Sequence, residues 1–160
     1  MSRIHVPVPI RWSDLDAYGH VNNAAMLTLL EESRISVFWG GGDLGVDGVA
    51  DAAAPAVSEG APSTITLVAR QEVEYLAPIP YLRDPLDVQL WIGRFGGASL
   101  DVCYEVCSPA GSDPVVVFAK ASTTLVMVDA ASGRPRRITD REREAWSAHV
   151  EPPVAFAQRS

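Results

Sequence analysis

The spacing of apolar positions changes twice along the chain. "HVPVPIRW" alternates, placing Val6, Val8, Ile10 and Trp12 on one face and Pro7 and Pro9 on the other. Two prolines cannot donate to a ladder, so the segment reads as an edge strand or a partly paired one. A polar stretch follows, then "NNAAMLTLLEESRISVFWGGG", a helix from about Asn23 to Trp39 stopped by three glycines. Asn22 or Asn23 is a good N-cap, and Glu31 can pair with Arg34. Ala24, Ala25, Met26, Leu27, Leu29, Leu30, Ile35, Val37, Phe38 and Trp39 fit no narrow stripe. The expectation is a helix buried on several sides.

Residues 40–63 are rich in Gly, Ala and Pro and have no period. A connection that long suits a functional or mobile loop, and the expectation is that it governs which ligand is chosen. The period then becomes two. "TITLVARQEVEYL" (64–76) places Ile65, Leu67, Ala69, Val73 and Tyr75 on one face, and a Pro-rich turn, "APIPYLRDP", follows. "LDVQLWIGRF" (86–95) and "SLDVCYEV" (99–106) alternate, with Gly96 and Gly97 between them as a hairpin turn. "VVVFAKASTTLVMV" (115–128) is apolar on both faces in its first half, as a central strand would be. Thr139 and Glu142 form a capping box that opens a short final helix. No repeat or second domain is visible, so residues 1–160 read as one α+β domain. A five-stranded antiparallel sheet wrapped around a long central helix satisfies the pattern.

Composition narrows the function. The formal net charge is −7, with no stripe of Lys and Arg, so nucleic acid is not the expected partner. No apolar run reaches the ~18–20 residues of a membrane span, and the first residues lack a signal-peptide core. The expectation is a cytoplasmic protein without a membrane partner. Cys103 and Cys107, four residues apart on one strand, stand roughly 13 Å apart, beyond disulfide reach. With no CxxC pair and histidines scattered at 5, 20 and 149, no metal site and no cofactor are expected.

The chemistry concentrates in "RWSDLDAYGHVNNAAML", residues 11–27, which places two carboxylates, an imidazole and two amides directly before a helix start. A helix N-terminus carries unpaired N–H groups and partial positive charge. Gly19 permits a bend that brings Asp16 back over it. Each residue also has a plainer reading: Asp16 in an Asx turn, Asp14 holding the loop, His20 stapling it, and Asn22 and Asn23 as caps. Arg70, Arg83 and Arg94 read as solvated surface groups or as contacts to the phosphates of a small-molecule ligand.

The stretch resembles the signature of hotdog-fold acyl-CoA thioesterases of the 4-hydroxybenzoyl-CoA thioesterase type: an aromatic after the first strand, D-x-D-x-x-G-H-V-N-N, then a helix carrying Glu and Arg. "VEYLAPIPY" and "GRFGGASLDVCYEV" also look like pieces of that family. The resemblance implies a hotdog fold that hydrolyses acyl-CoA to free acid and coenzyme A. It implies Asp16 as nucleophile or general base, His20 beside it, and the Asn23 backbone N–H polarising the thioester carbonyl. Gly19, Asn22 and Met26 fall at substrate-binding positions. Met26 stands near where the family commonly has an aromatic residue, which alters the acyl pocket rather than the polar machinery. The resemblance also implies a homodimer or a tetramer of dimers. Two alternatives stay open: an acyl-carrier-protein thioesterase, and a non-catalytic acyl-CoA-binding domain on the same fold.

Overall fold

Why the strands fall where they do follows from alternation and turn chemistry, and the computed structural model, which describes residues 3–39, 45–46 and 63–158, shows the result. The strands are β1 (Ile4–Val8), β2 (Thr64–Tyr75), β3 (Leu86–Phe95), β4 (Ser99–Cys107) and β5 (Val117–Asp129). They form one antiparallel sheet in the order β1-β3-β4-β5-β2. The long helix α1 spans Asn23–Phe38 and the short helix α2 spans Asp140–Trp146. The β3–β4 hairpin closes through Gly96 N–H on the Ser99 carbonyl at 2.8 Å. The expected edge position of β1 holds, whereas the middle strand is β4; β5 is paired on both sides, and Val115 and Val116 lie exposed before it. The substrate-choice loop at 40–63 lies outside the described residues except for Gly45, Val46 and Ser63.

One face of the sheet packs on α1. Its rows read straight across the ladders, as in Val88–Val106–Ala119 and Leu90–Tyr104–Ala121. The helix meets this face through Met26, Leu29, Leu30, Ser33, Arg34, Val37 and Phe38, all buried. Their spacing is a single i, i+3, i+4 stripe. This corrects the expectation of a helix buried on several sides: within this chain Ala24 and Leu27 are exposed and Ile35 is half-buried. Each buried Leu, Val, Met or Phe removes enough apolar surface from water to contribute about 1.5–3 kcal/mol.

Two further expectations are corrected. Trp12 does not continue the core-facing row of Val8 and Ile10; it is 74% exposed and stacks on Tyr81 with ring centroids 4.6 Å apart. The set Ile65, Leu67, Ala69, Val73 and Tyr75 does not share a face. Val68 pairs with Leu125 and Arg70 with Thr124, leaving Ala69 as an unpaired β-bulge that inverts the phase. Ile65 and Leu67 therefore lie on the outer face, and Val73 and Tyr75 on the face toward α1.

The outer face is strapped by residues 150–158. Glu151 N–H donates to the Ile92 carbonyl at 3.0 Å, the Trp91 indole donates to the Pro152 carbonyl at 3.0 Å, and Ala157 N–H donates to Glu74 at 2.8 Å. Arg3 lies 3.9 Å over the Trp91 ring and pairs with Glu151 and Glu105, each at 3.2 Å. Both cysteines are buried free thiols; Cys103 lies beneath the strap, and burial raises its thiol. The strap needs Gly93: a Cβ there would stand 2.8 Å from the Cys103 sulfur and 3.2 Å from the Pro153 backbone. Gly93→Ala is expected to cost about 1–3 kcal/mol by overpacking. It should also speed labelling of Cys103 by a thiol reagent, measured by mass spectrometry; unchanged labelling would show that the strap does not guard that thiol.

Candidate active site

The polar stretch folds into a miniature hairpin. Asn22 N–H donates to the Asp14 carbonyl at 2.7 Å, Asp16 N–H to the His20 carbonyl at 2.8 Å, and Leu15 bridges Val21. Gly19 turns the tip at φ +78°, a conformation that glycine adopts without strain. One Asp16 oxygen accepts from the backbone N–H groups of Tyr18 at 2.8 Å and His20 at 3.2 Å. The Asx turn therefore forms, and it engages one of the two carboxylate oxygens. The hairpin is held from the far side by residues 79–80, with Val21 N–H on the Ile79 carbonyl at 2.9 Å and His20 bridging Pro80.

Asp14 has a different environment. It is buried and receives Arg11 N–H at 2.7 Å and the Arg11 guanidinium at 2.9 Å. Burial alone would raise its carboxyl; the Arg11 hydrogen bonds and positive charge outweigh that and hold it below the usual carboxylate range. Such an anchored, ionised carboxylate fixes the loop, with both of its oxygens engaged by Arg11.

The helix start is prepared by its own amides. The Asn22 side chain accepts from Ala24 and Ala25 N–H at 2.8 and 3.4 Å, and the Asn22 carbonyl accepts from Met26 N–H at 3.0 Å. The Asn23 backbone N–H is left without a protein hydrogen-bond partner among the described residues. Asn22 is the N-cap.

Asp16, His20, Asn23 and Met26 line one open groove of about 380 Å³. Gly19 and Asn22 do not line it; they shape the loop and cap the helix. The opposite wall is Tyr75 with residues 76–79, none of which the sequence alone marks as a site residue. The Tyr75 hydroxyl donates to the Asn23 carbonyl at 2.7 Å, and partial burial raises its phenol. The available signal was the Pro-rich turn directly after a strand. Arg94 ion-pairs with Asp101 at 2.9 Å and Arg70 stands 3.8 Å from Glu72, both away from this groove. Among the described residues no three His, Cys, Asp or Glu side chains gather closely enough to hold a metal ion, and no helix is long and apolar enough to cross a membrane.

A model of the thioesterase-like superfamily matches residues 10–150. The protein YsmA of Bacillus subtilis (strain 168) is 30% identical over 138 residues, covering 86% of this chain and 80% of its own. A predicted thioesterase from Bacillus stearothermophilus is 27% identical with a TM-score of 0.72, covering 96% of this chain and all of that one. A thioesterase from Thermus thermophilus, solved with coenzyme A and zinc, is 30% identical with a TM-score of 0.65, covering 90% and 92%. The sheet wrapped around α1 is the hotdog fold that the sequence resemblance implied. Matched in sequence and in fold over most of its length, the chain belongs to the thioesterase-like superfamily and is by family a thioester hydrolase.

Proposed function

We propose that the chain hydrolyses acyl-CoA thioesters in the groove between the Asp16 loop and Tyr75. The observation that carries this reading is the pairing of a carboxylate that keeps one uncommitted oxygen with the unpartnered Asn23 N–H, on the same groove. Asp16 as general base takes a proton from water while the water oxygen attacks the thioester carbon; as nucleophile it attacks directly and water cleaves the resulting anhydride. On either route the carbonyl oxygen gains negative charge, and the Asn23 N–H at the helix start stabilises it. The C–S bond then breaks, and the sulfur leaves as the thiol with a proton. The relative solved with coenzyme A supports coenzyme A as the carrier here.

The reading includes a homodimer. Strand β2 is an outer edge of the sheet and exposes Ile65, Leu67, Val68 and Tyr75. An exposed apolar edge strand is a template for pairing with another chain, here a second copy. Sedimentation at micromolar concentration should show a dimer or a multiple of one; a monomer with full activity would remove the dimer from the proposal. The activity is tested by a panel of aromatic, short, medium and long acyl-CoAs with free thiol as readout. Turnover of at least one class is expected, and binding without turnover would favour the non-catalytic acyl-CoA-binding reading.

A further inference from the structure

The buried stripe of α1 contains one residue that its packing does not explain. Arg34 is only 8% exposed, yet it lies among Leu30, Val37 and Phe38. Its Nη1 donates to the Tyr104 hydroxyl at 3.0 Å, a neutral acceptor. The nearest carboxylate, Glu31, stands 3.9 Å away, beyond hydrogen-bonding distance, with its side chain 62% exposed. A guanidinium has five donors. No fully buried side-chain nitrogen or oxygen among the described residues lacks a partner, so the donors of Arg34 not used on Tyr104 reach open space. That space is a cavity of about 330 Å³ whose other walls include Ile35, Phe38, Val68 and Leu125, with Thr66 and the Glu31 carboxylate at its margin. A cation withdrawn from water, whose remaining donors face this cavity and whose one carboxylate neighbour is long-range and solvent-exposed, is a receptor for a closer anion.

The cavity is aligned with the proposed active site. The Tyr75 hydroxyl meets the Asn23 carbonyl at the first residues of α1, while Val68 and Thr66 face Arg34 and Phe38 toward its end. Helix and strand therefore run antiparallel, and Val73 lies between on the face toward α1. The groove at Asn23 and the cavity at Arg34 lie at opposite ends of the seam between α1 and β2. Eleven residues separate Asn23 from Arg34, about 16 Å along the axis, and the Arg34 side chain leans back toward the N-terminus. An extended alkyl chain advances roughly 1.3 Å per bond, so a chain of about 8–12 carbons spans the gap.

We propose that Arg34 binds a carboxylate, or an equivalent anion, at the far end of a medium-length acyl group. This rests on hydrolysis occurring at Asp16 and names the substrate class: acyl thioesters with a carboxylate at the other end of the chain.

Two measurements test it separately from the hydrolysis reading. Calorimetry compares the monomethyl and dimethyl esters of decanedioic acid, which differ by one free carboxylate. The wild-type protein is expected to bind the monoester at least tenfold tighter, Arg34→Lys to keep part of that margin, and Arg34→Met to lose it. Equal affinities, no binding of either ester, or a margin that survives in Arg34→Met overturns the anion site, and the wild-type comparison decides even if a variant fails to fold. In the second measurement, decanedioyl-CoA is expected to exceed decanoyl-CoA at least tenfold in kcat/KM. Equal values overturn the placement of the anion at the acyl end while leaving hydrolysis intact. If neither thioester is cleaved, the hydrolysis reading falls and the ester comparison decides the Arg34 site.

Discussion

Asp16→Asn is expected to lower turnover by about a hundredfold or more while leaving the melting temperature nearly unchanged. The geometry separates the two effects. The Asp16 oxygen that accepts from Tyr18 and His20 N–H persists as the amide oxygen of asparagine, so the Asx turn and the loop survive. What is lost is the negative charge, and with it both the base and the nucleophile. Asp14→Asn should show the opposite bias. Its carboxylate holds the Arg11 backbone and guanidinium from a buried position, so stability falls more than rate. His20→Ala should fall between, because it removes a side chain that lines the groove while the backbone bridge from His20 to Pro80 persists. Steady-state kinetics and thermal melts on the three variants check this. Wild-type turnover in Asp16→Asn with abolished turnover in Asp14→Asn would transfer the chemistry to the buried carboxylate.

The largest expected loss of stability is at Glu142, far from that chemistry. Its carboxylate is buried and receives two donors from Arg136, each at 2.8 Å, as well as the Thr139 N–H at 2.8 Å. Arg136 in turn reaches Thr64 at 2.9 Å, so the pair ties α2 to the start of β2. Glu142→Ala removes the capping box and strands a largely buried guanidinium, at a cost of about 3–5 kcal/mol. For a chain of this size the melting point should drop on the order of 10 °C. Arg136→Met combined with Glu142→Leu should recover part of it, since the stranded charge is gone. The same groups set the acid limit. Burial raises the Glu142 carboxyl, but Arg136 and the Thr139 backbone outweigh it and hold it below its ordinary range, as Arg11 does for Asp14. A depressed folded value means the stabilisation is present above the unfolded carboxylate range and is lost as pH falls through the folded value. Melts should therefore be flat near neutrality and decline from about pH 4 downward, and Glu142→Ala should decline less.

How much of this was legible depended on whether one side of an element sufficed to define it. The β3–β4 hairpin was readable because alternation and Gly96-Gly97 agree. The capping box at Thr139 and the N-cap at Asn22 were readable because caps are local in sequence. The helix stripe was not, because two of its buried members, Ser33 and Arg34, are polar, while exposed Ala24 and Leu27 count as apolar. Trp12 escapes the alternation because the chain leaves the strand after Val8 and enters a tight turn at Trp12–Asp14. In the candidate site, the residues on one continuous segment were readable, whereas Tyr75, fifty-two positions away from Asn23, joins only through tertiary structure. Residues 150–158, with two prolines and no period, gave no sign that they would cover a sheet face.

The bulge at Ala69 has an evolutionary corollary. Val68 already faces Leu125, and Arg70 already faces Thr124. Excising Ala69 would leave every ladder partner and every side-chain orientation in β2 as it is, and would only straighten the local bend. Removing any neighbouring codon instead would shift half the strand by one position and turn its residues to the opposite side unless the bulge itself migrated. Ala69 is thus the point in β2 where the lineage can gain or lose a residue at least cost, and length variation among related genes in this strand should concentrate there.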